Sequence, residues 1–305
     1  MYVPRRPARS EFVPVRNLRY HVLTWGDRAD ERPPLVLLHG WMDVGASWQF
    51  VVDAMREERF IVAPDWRGYG LTEGGGVDNY WMPDYLADLD WLLDHYAGDR
   101  AVDLVGHSMG GNVTMHYAGV RPQRLRRVVN LEGFGMPAYR ADEAPARYGR
   151  WIDELKRLHA GGMDLASYPA ADGVARRLMK TNPRLTQDKA DWLARQWANC
   201  TRDGESGERW NILGDPAHKV VNANIFRVDE MLALYAAIEA PVLAVEASDD
   251  SLRGWWGKRY SLEEYHERLQ SVRNVRIARV DDAAHMLHHD QPQRVAGLIE
   301  DFLAG

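Results

Sequence analysis

Five short apolar runs constrain this chain more than any other feature: PLVLLHG (34–40), FIVAPD (60–65), VDLVGHS (102–108), VVNLEG (128–133) and PVLAVEAS (241–248). None alternates strictly between apolar and polar residues. A strand with one wet face alternates, whereas a strand covered on both faces does not, so these runs predict the inner strands of a parallel sheet. LRYHVLTWG (18–26) alternates more and predicts an edge strand or hairpin, and NVRIARV (274–280) predicts a last strand.

Helical patterns separate the runs. PDYLADLDWLLDHY places Leu86, Leu89, Leu92 and Leu93 on one face, and GGNVTMHYAGVRPQR ends at Pro122. Strand alternating with helix predicts an α/β fold with a mostly parallel central sheet, right-handed crossovers and helices on both faces. The rhythm breaks after Gly135. From there to Ala240 the chain reads as helices without strong strand candidates, and the strand rhythm resumes at Pro241. The division expected is a core of 1–135 and 241–305 with an α-helical cap or lid, 136–240, inserted after the strand at 128–133.

With 44 acidic against 38 basic side chains the net charge is −6, which offers no global basic surface for phosphates; nucleic acid is not expected as a partner. A single cysteine, Cys200, forms no intramolecular disulfide and lacks companions for a cysteine-based metal site, which favours a reducing, cytoplasmic setting. No stretch approaches the ~20 apolar residues of a membrane span, and the basic start MYVPRRPARS reads as a frayed terminus rather than a signal peptide. Oligomeric state is not legible. Of the twelve tryptophans, Trp151, Trp192, Trp197, Trp210, Trp255 and Trp256 fall outside the expected strands and read as helix packing, with a minority lining an apolar pocket.

The chemistry concentrates in DLVGHSMGGN (103–112). Gly106, Ser108 and Gly110 make G-x-S-x-G directly between an expected strand and an expected helix, the context a nucleophile elbow demands. Small neighbours permit a strained turn, and the helix start turns N–H groups and positive dipole toward developing negative charge. A serine hydroxyl needs a base, usually a histidine held by a carboxylate. His285 lies on the loop after the last expected strand, where sites gather in open α/β sheets. His288 and His289 are its rivals, but Asp290, Gln291 and Pro292 already read as a helix start. His107 and His39, beside the loops, read as packing residues.

For the carboxylate, Asp250 lies furthest beyond the run 241–248 and is placed first. Asp249 is the near alternative, and Glu132, at the end of the neighbouring run, the distant one. Met109, after the serine, and Trp41, in the turn LLHGWMD, are positioned to offer oxyanion N–H groups. No H-E-x-x-H or comparable helical pair appears, and His288 and His289, being adjacent, point differently on any regular element; no metal is expected.

Together these motifs resemble the α/β-hydrolase superfamily over nearly all the chain outside the insert. LLHGWMD resembles its oxyanion loop, DWRGYGLT (65–72) its D-x-R-G-x-G-x-S turn with Thr72 in the serine place, and GHSMGG its nucleophile elbow. PVLAVEASDD resembles the strand that carries the acid, with Ala247 replacing glycine and Asp250 on the acid position. DAAHMLHHDQP resembles the histidine segment, and RGWWGKRYSLEEYHERL (253–269) is long for the family. The resemblance implies the order Ser108, Asp250, His285 and a cofactor-free serine hydrolase, carboxylesterase-like, acting on a small apolar ester-like substrate. It also implies that serine at this position argues against dehalogenases and epoxide hydrolases, which use aspartate there. The same residues would serve a lactonase, thioesterase, carbon–carbon bond hydrolase or perhydrolase. A hydrolase-fold small-molecule binding protein with little turnover is the alternative from another class.

Overall fold

The computed structural model describes residues 2–203 and 207–305. Its strands are β1 (Arg9–Val15), β2 (Leu18–Trp25), β3 (Leu35–Leu38), β4 (Ile61–Pro64), β5 (Val102–His107) and β6 (Leu125–Leu131). Then come β7 (Ser167–Tyr168), β8 (Ala198–Asp203), β9 (Gly207–Ile212), β10 (Val242–Ala247) and β11 (Val275–Val280). Eight of these form one sheet in the order β1-β2-β4-β3-β5-β6-β10-β11. The pairs β1–β2 and β2–β4 are antiparallel; every other pair is parallel.

The helices longer than one 3-10 turn are α1 (Gln49–Ala54), α2 (Met82–Ala97), α3 (Met109–Val120), α4 (Ala144–His159), α5 (Ala171–Thr181) and α6 (Gln187–Trp197). They continue with α7 (Val228–Ala236), α8 (Ser251–Trp256), α9 (Leu262–Leu269), α10 (Leu287–Asp290) and α11 (Pro292–Ala304). The period of two along the strands sorts the core. Val36, Leu38, Leu104 and Val128 pack with Leu89 and Leu92 of α2 and Val113 of α3. Leu35, Leu37, Val105 and Val129 pack on the other face with Val51 of α1 and Val295 and Ile299 of α11. All of β3 and β5 is therefore buried, as expected of strands covered on both faces.

Two expectations are corrected. The segment between β6 and β10 is not purely helical: β7, β9 and β8 form a small antiparallel sheet. Its hairpin strands are polar and largely exposed, so no apolar run marks them. Nor is the start frayed. The Tyr2 hydroxyl and the Arg5 and Arg6 backbone N–H groups all donate to the Asp53 carboxylate of α1, and β1 pairs along its whole length with β2.

The insert is stitched to the DWRGYG turn. Gly70 N–H donates to the Leu213 carbonyl, Asp215 N–H to the Gly68 carbonyl at 2.8 Å, and the Tyr80 hydroxyl to Asp215 at 2.8 Å. The His218 ring is stacked between Tyr69 and Tyr80, at 3.7 and 3.8 Å between centroids. The turn in turn is clamped to α2: Arg67 donates two hydrogen bonds to buried Asp88, at 2.6 and 2.7 Å. A paired, forked geometry of this kind is what makes a buried charge tolerable.

Candidate active site

Ser108 joins β5 to α3 with φ 54° and ψ −115°, a conformation that L-residues other than glycine rarely adopt. The turn is possible only because its neighbours lack side chains. A Cβ on Gly110 would lie 2.4 Å from the Leu38 carbonyl oxygen, and one on Gly106 2.2 Å from the Gly110 carbonyl oxygen. Ser108 N–H donates to the Leu131 carbonyl and the Ser108 carbonyl accepts from Asn112 N–H, so the strained residue is fixed from both sides. Gly40 approaches from the loop after β3, where a Cβ would be 3.1 Å from Ser108 Cβ. Trp41 and Met42 follow it, Met42 itself at φ 52°. Of the two backbone positions expected to hold an oxyanion, Met109 begins α3 directly after Ser108 and Trp41 follows Gly40 on the loop after β3.

His285 stands on the loop between β11 and α10. Its Nδ1 pairs with Glu132 Oε2 at 3.2 Å, the His107 Nε2 pairs with its backbone carbonyl at 2.7 Å, and the Trp255 ring stands nearly perpendicular to it at 4.4 Å between centroids. Glu132 follows β6 directly, at φ 55°. Its carboxylate is cradled by donors from the end of β10 and the start of α8: Ala247 N–H to Oε1 and Ser251 Oγ to Oε2, both at 2.8 Å. Three of the five non-glycine residues with positive φ among the described residues, Met42, Ser108 and Glu132, follow the carboxyl ends of the adjacent strands β3, β5 and β6, as strain tends to gather where a structure over-determines a site.

The first-placed acid, Asp250, is not the carboxylate that stands beside His285. Asp250 caps α8, accepting from Arg253 N–H at 2.9 Å, and Asp249 pairs with Arg184 at 2.9 Å. The chain turns sharply after Ala247, where Ser248 N–H donates to the Val280 carbonyl and Asp249 N–H to the Ala283 carbonyl, so neither aspartate is paired with His285. The side chain in contact with His285 comes instead from the adjacent strand end, because β6 and β10 are neighbours and the longer Glu132 reaches across. Ser251 and the Ala247 N–H escaped sequence reasoning altogether, since a cradle for a carboxylate has no motif. His39 and His107 are backbone-bonded packing residues, to the Gly40 and His285 carbonyls respectively. His288 and His289 are buried away from Glu132, with their rings 4.2 Å apart rather than pointing separately.

Burial sets the protonation of these groups. It pushes Glu132 up to about 7, against the pull of Ala247 N–H and Ser251, and pushes His285 down to about 4. His39, facing Asp65 and the Gly40 carbonyl, is pushed down to about 4. His218, enclosed by Tyr69, Tyr80, Tyr85 and the Arg67 carbonyl, falls to about 3. Below the unfolded value of about 6.5 the unfolded chain takes up protons that these folded histidines refuse, so their contribution is whole above that pH and lost as pH falls. Each contributes a slope of at most about 1.4 kcal/mol per pH unit. Glu132, raised above its unfolded value, opposes them with one such slope between 4.5 and about 7. Burial also lowers His107, His288 and His289 and raises Asp43 and Asp290, so that among these groups six histidines stand against three carboxyls; the melting temperature is expected to fall from pH 7 to pH 5 by calorimetry, and a flat profile would contradict the burial of these rings.

A family model for the alpha/beta hydrolase fold matches residues 33–292. The chain is 26% identical over 304 residues to the AB hydrolase superfamily protein YfhM of Bacillus subtilis, covering 97% of this chain and 98% of that one. It is 25% identical over 306 residues to a serine hydrolase-like protein of Danio rerio, covering 98% and 89%. Among solved structures, the thioesterase domain from the curacin biosynthetic pathway superposes with a TM-score of 0.78 at 21% identity, covering 96% of this chain and 99% of that one. No described helix is long and apolar enough to cross a membrane.

Proposed function

The chain belongs to the α/β-hydrolase fold family, and on that premise we propose that it is a serine hydrolase of carboxylic esters acting through Ser108, His285 and Glu132. The observation that carries this reading is the combination of a serine held at positive φ on a helix start with a histidine whose Nδ1 is paired to a buried carboxylate. Pairing at Nδ1 leaves Nε2 as the base nitrogen, the tautomer that nucleophile activation needs.

His285 takes the Ser108 proton as Oγ attacks the ester carbonyl. The oxyanion is held by Met109 and Trp41 N–H groups, and Glu132 stabilises the imidazolium that forms. The imidazolium then gives its proton to the departing alcohol. Water, deprotonated by His285, attacks the acyl-serine, and the imidazolium returns that proton to Ser108 Oγ as the acyl bond breaks and the acid leaves. Serine at this position separates the chain from the aspartate-dependent epoxide hydrolases and dehalogenases of the family.

Residues 136–240 are proposed as a lid on the core of 1–135 and 241–305. Trp41 Nε1 donates to the His218 carbonyl at 3.1 Å, which ties the loop after β3 to the insert and supports a lid whose position is felt at the oxyanion donors. A small, apolar ester is the proposed substrate class. The test is turnover of p-nitrophenyl esters from acetate to octanoate. Hydrolysis that stops when a fluorophosphonate is added is expected; no turnover at any acyl length would overturn the reading.

A further inference from the structure

Asp43, His288 and His289 meet in the interior at a place the proposed hydrolysis does not use. Asp43 follows β3 on the loop that begins with Gly40, and the two histidines form the α10 turn. Their exposures are 3%, 1% and 3%. Asp43 divides its carboxylate unevenly. Oδ1 accepts from Val44 N–H at 2.9 Å, from the Ser47 hydroxyl and from Trp197 Nε1 at 3.1 Å. Oδ2 has no hydrogen-bond partner, and it stands 3.9 Å from His288 Nε2. His288 Nδ1 and His289 Nε2 are also without partners.

A buried polar atom left unmet is costly, so three in one cluster call for an occupant. One donor atom from each residue lies within 4.8 Å of the others. We infer that Asp43, His288 and His289 form a binding site for one divalent transition-metal ion of the zinc class. The donor chemistry selects that class: two imidazoles and a carboxylate suit zinc and its neighbours, whereas calcium and magnesium require oxygen donors throughout. Tetrahedral zinc at about 2.0–2.1 Å from its ligands places donors roughly 3.3 Å apart, so the three side chains must close in by side-chain rotation. Ser47, Val44 and Trp197 hold Oδ1 and leave Oδ2 toward the rings, the orienting role that outer partners play around bound metals. A small cavity lined by Met42, Trp197, Ile212 and Leu213 borders Asp43. His285 is not a donor, and the cluster meets the proposed catalytic residues only through packing of the His107 ring, 4.2 Å from that of His288 between centroids.

The competing occupant is ordered water, which also satisfies buried polar groups. Exposed Cys200 is an independent zinc ligand and is removed for the test. Full-length Cys200→Ser protein, stripped with chelator, is loaded with excess Zn²⁺, desalted and analysed for metal content and melting temperature. One ion per chain with a rise of several degrees is expected, unchanged by Ser108→Ala, and lost with the ion in Asp43→Asn and in His289→Gln. Co²⁺ loading of the Cys200→Ser protein gives a second readout that needs no folded variant: intense visible d–d bands of a tetrahedral nitrogen and oxygen site are expected. Less than about a tenth of an ion per chain without a thermal shift would assign the cluster to water. Binding that survives both substitutions, or an octahedral Co²⁺ spectrum, would equally overturn the inference.

Discussion

Ser108→Ala is expected to lower kcat for any hydrolysed ester by between about a thousandfold and about a millionfold. Removing Oγ removes the only route to the acyl-enzyme, so no hydrolysis should remain beyond what the oxyanion donors and substrate binding supply. His285→Ala should cost about as much, and the double variant scarcely more, because a nucleophile and its base act as one unit. Ser108 N–H and the Ser108 carbonyl hold the turn through the backbone, which alanine retains. The variant should therefore fold, although alanine at φ 54° is strained to a degree that serine already tolerates. Losses that simply added in the double variant would mean that the two residues do not share a step.

Glu132→Gln is expected to lower kcat by about a hundredfold to ten-thousandfold with KM little changed, whereas Asp250→Asn should stay within about threefold. Glutamine preserves size, and its amide oxygen can still accept from Ala247 N–H while its N–H₂ takes the Oε2 position, where the Ser251 hydroxyl must turn to accept rather than donate. Glutamine removes the charge that stabilises the imidazolium, and its amide N–H₂ turned toward Nδ1 would select the wrong tautomer. Asparagine at 250 remains a good helix cap, so its principal contact, to Arg253 N–H, survives. Because Glu132 and His285 share one hydrogen bond, the acid limb of the pH–rate profile belongs to the pair. With Glu132 pushed up to about 7, activity is expected to rise through neutral pH rather than near pH 4.

The inner strands were legible because burial on both faces leaves largely apolar runs, visible at Leu35–Leu38 and at Val102–His107, where the one buried carboxylate, Asp103, is paired with Arg59 and Arg126. The hairpin of β8 and β9 was illegible for the opposite reason: Thr201, Arg202, Glu208 and Arg209 face solvent, and cross-strand pairing leaves no period to read in polar residues. Ser108 announced itself through its glycines, whose absent side chains are a local requirement. The loop position of His285 was legible from its place after the last strand. The carboxylate that pairs with it was not, because several carboxylates end neighbouring strands, and the pairing depends on which side chain crosses to the histidine. Asp250 was turned away by its own helix, while Glu132 was drawn in by donors 115 and 119 residues further along the chain. The meeting of Asp43 with His288 and His289 is of the same kind, a contact between distant loops that no spacing records.

The most direct measurement is the rate of covalent labelling by a fluorophosphonate, followed by intact mass and peptide mapping in the wild type, Glu132→Gln and Asp250→Asn. The expected result is a single adduct on Ser108, formed equally fast in the wild type and Asp250→Asn and at least about a hundredfold more slowly in Glu132→Gln. An adduct elsewhere, or labelling slowed by Asp250→Asn and untouched by Glu132→Gln, would contradict a Ser108, His285 and Glu132 triad.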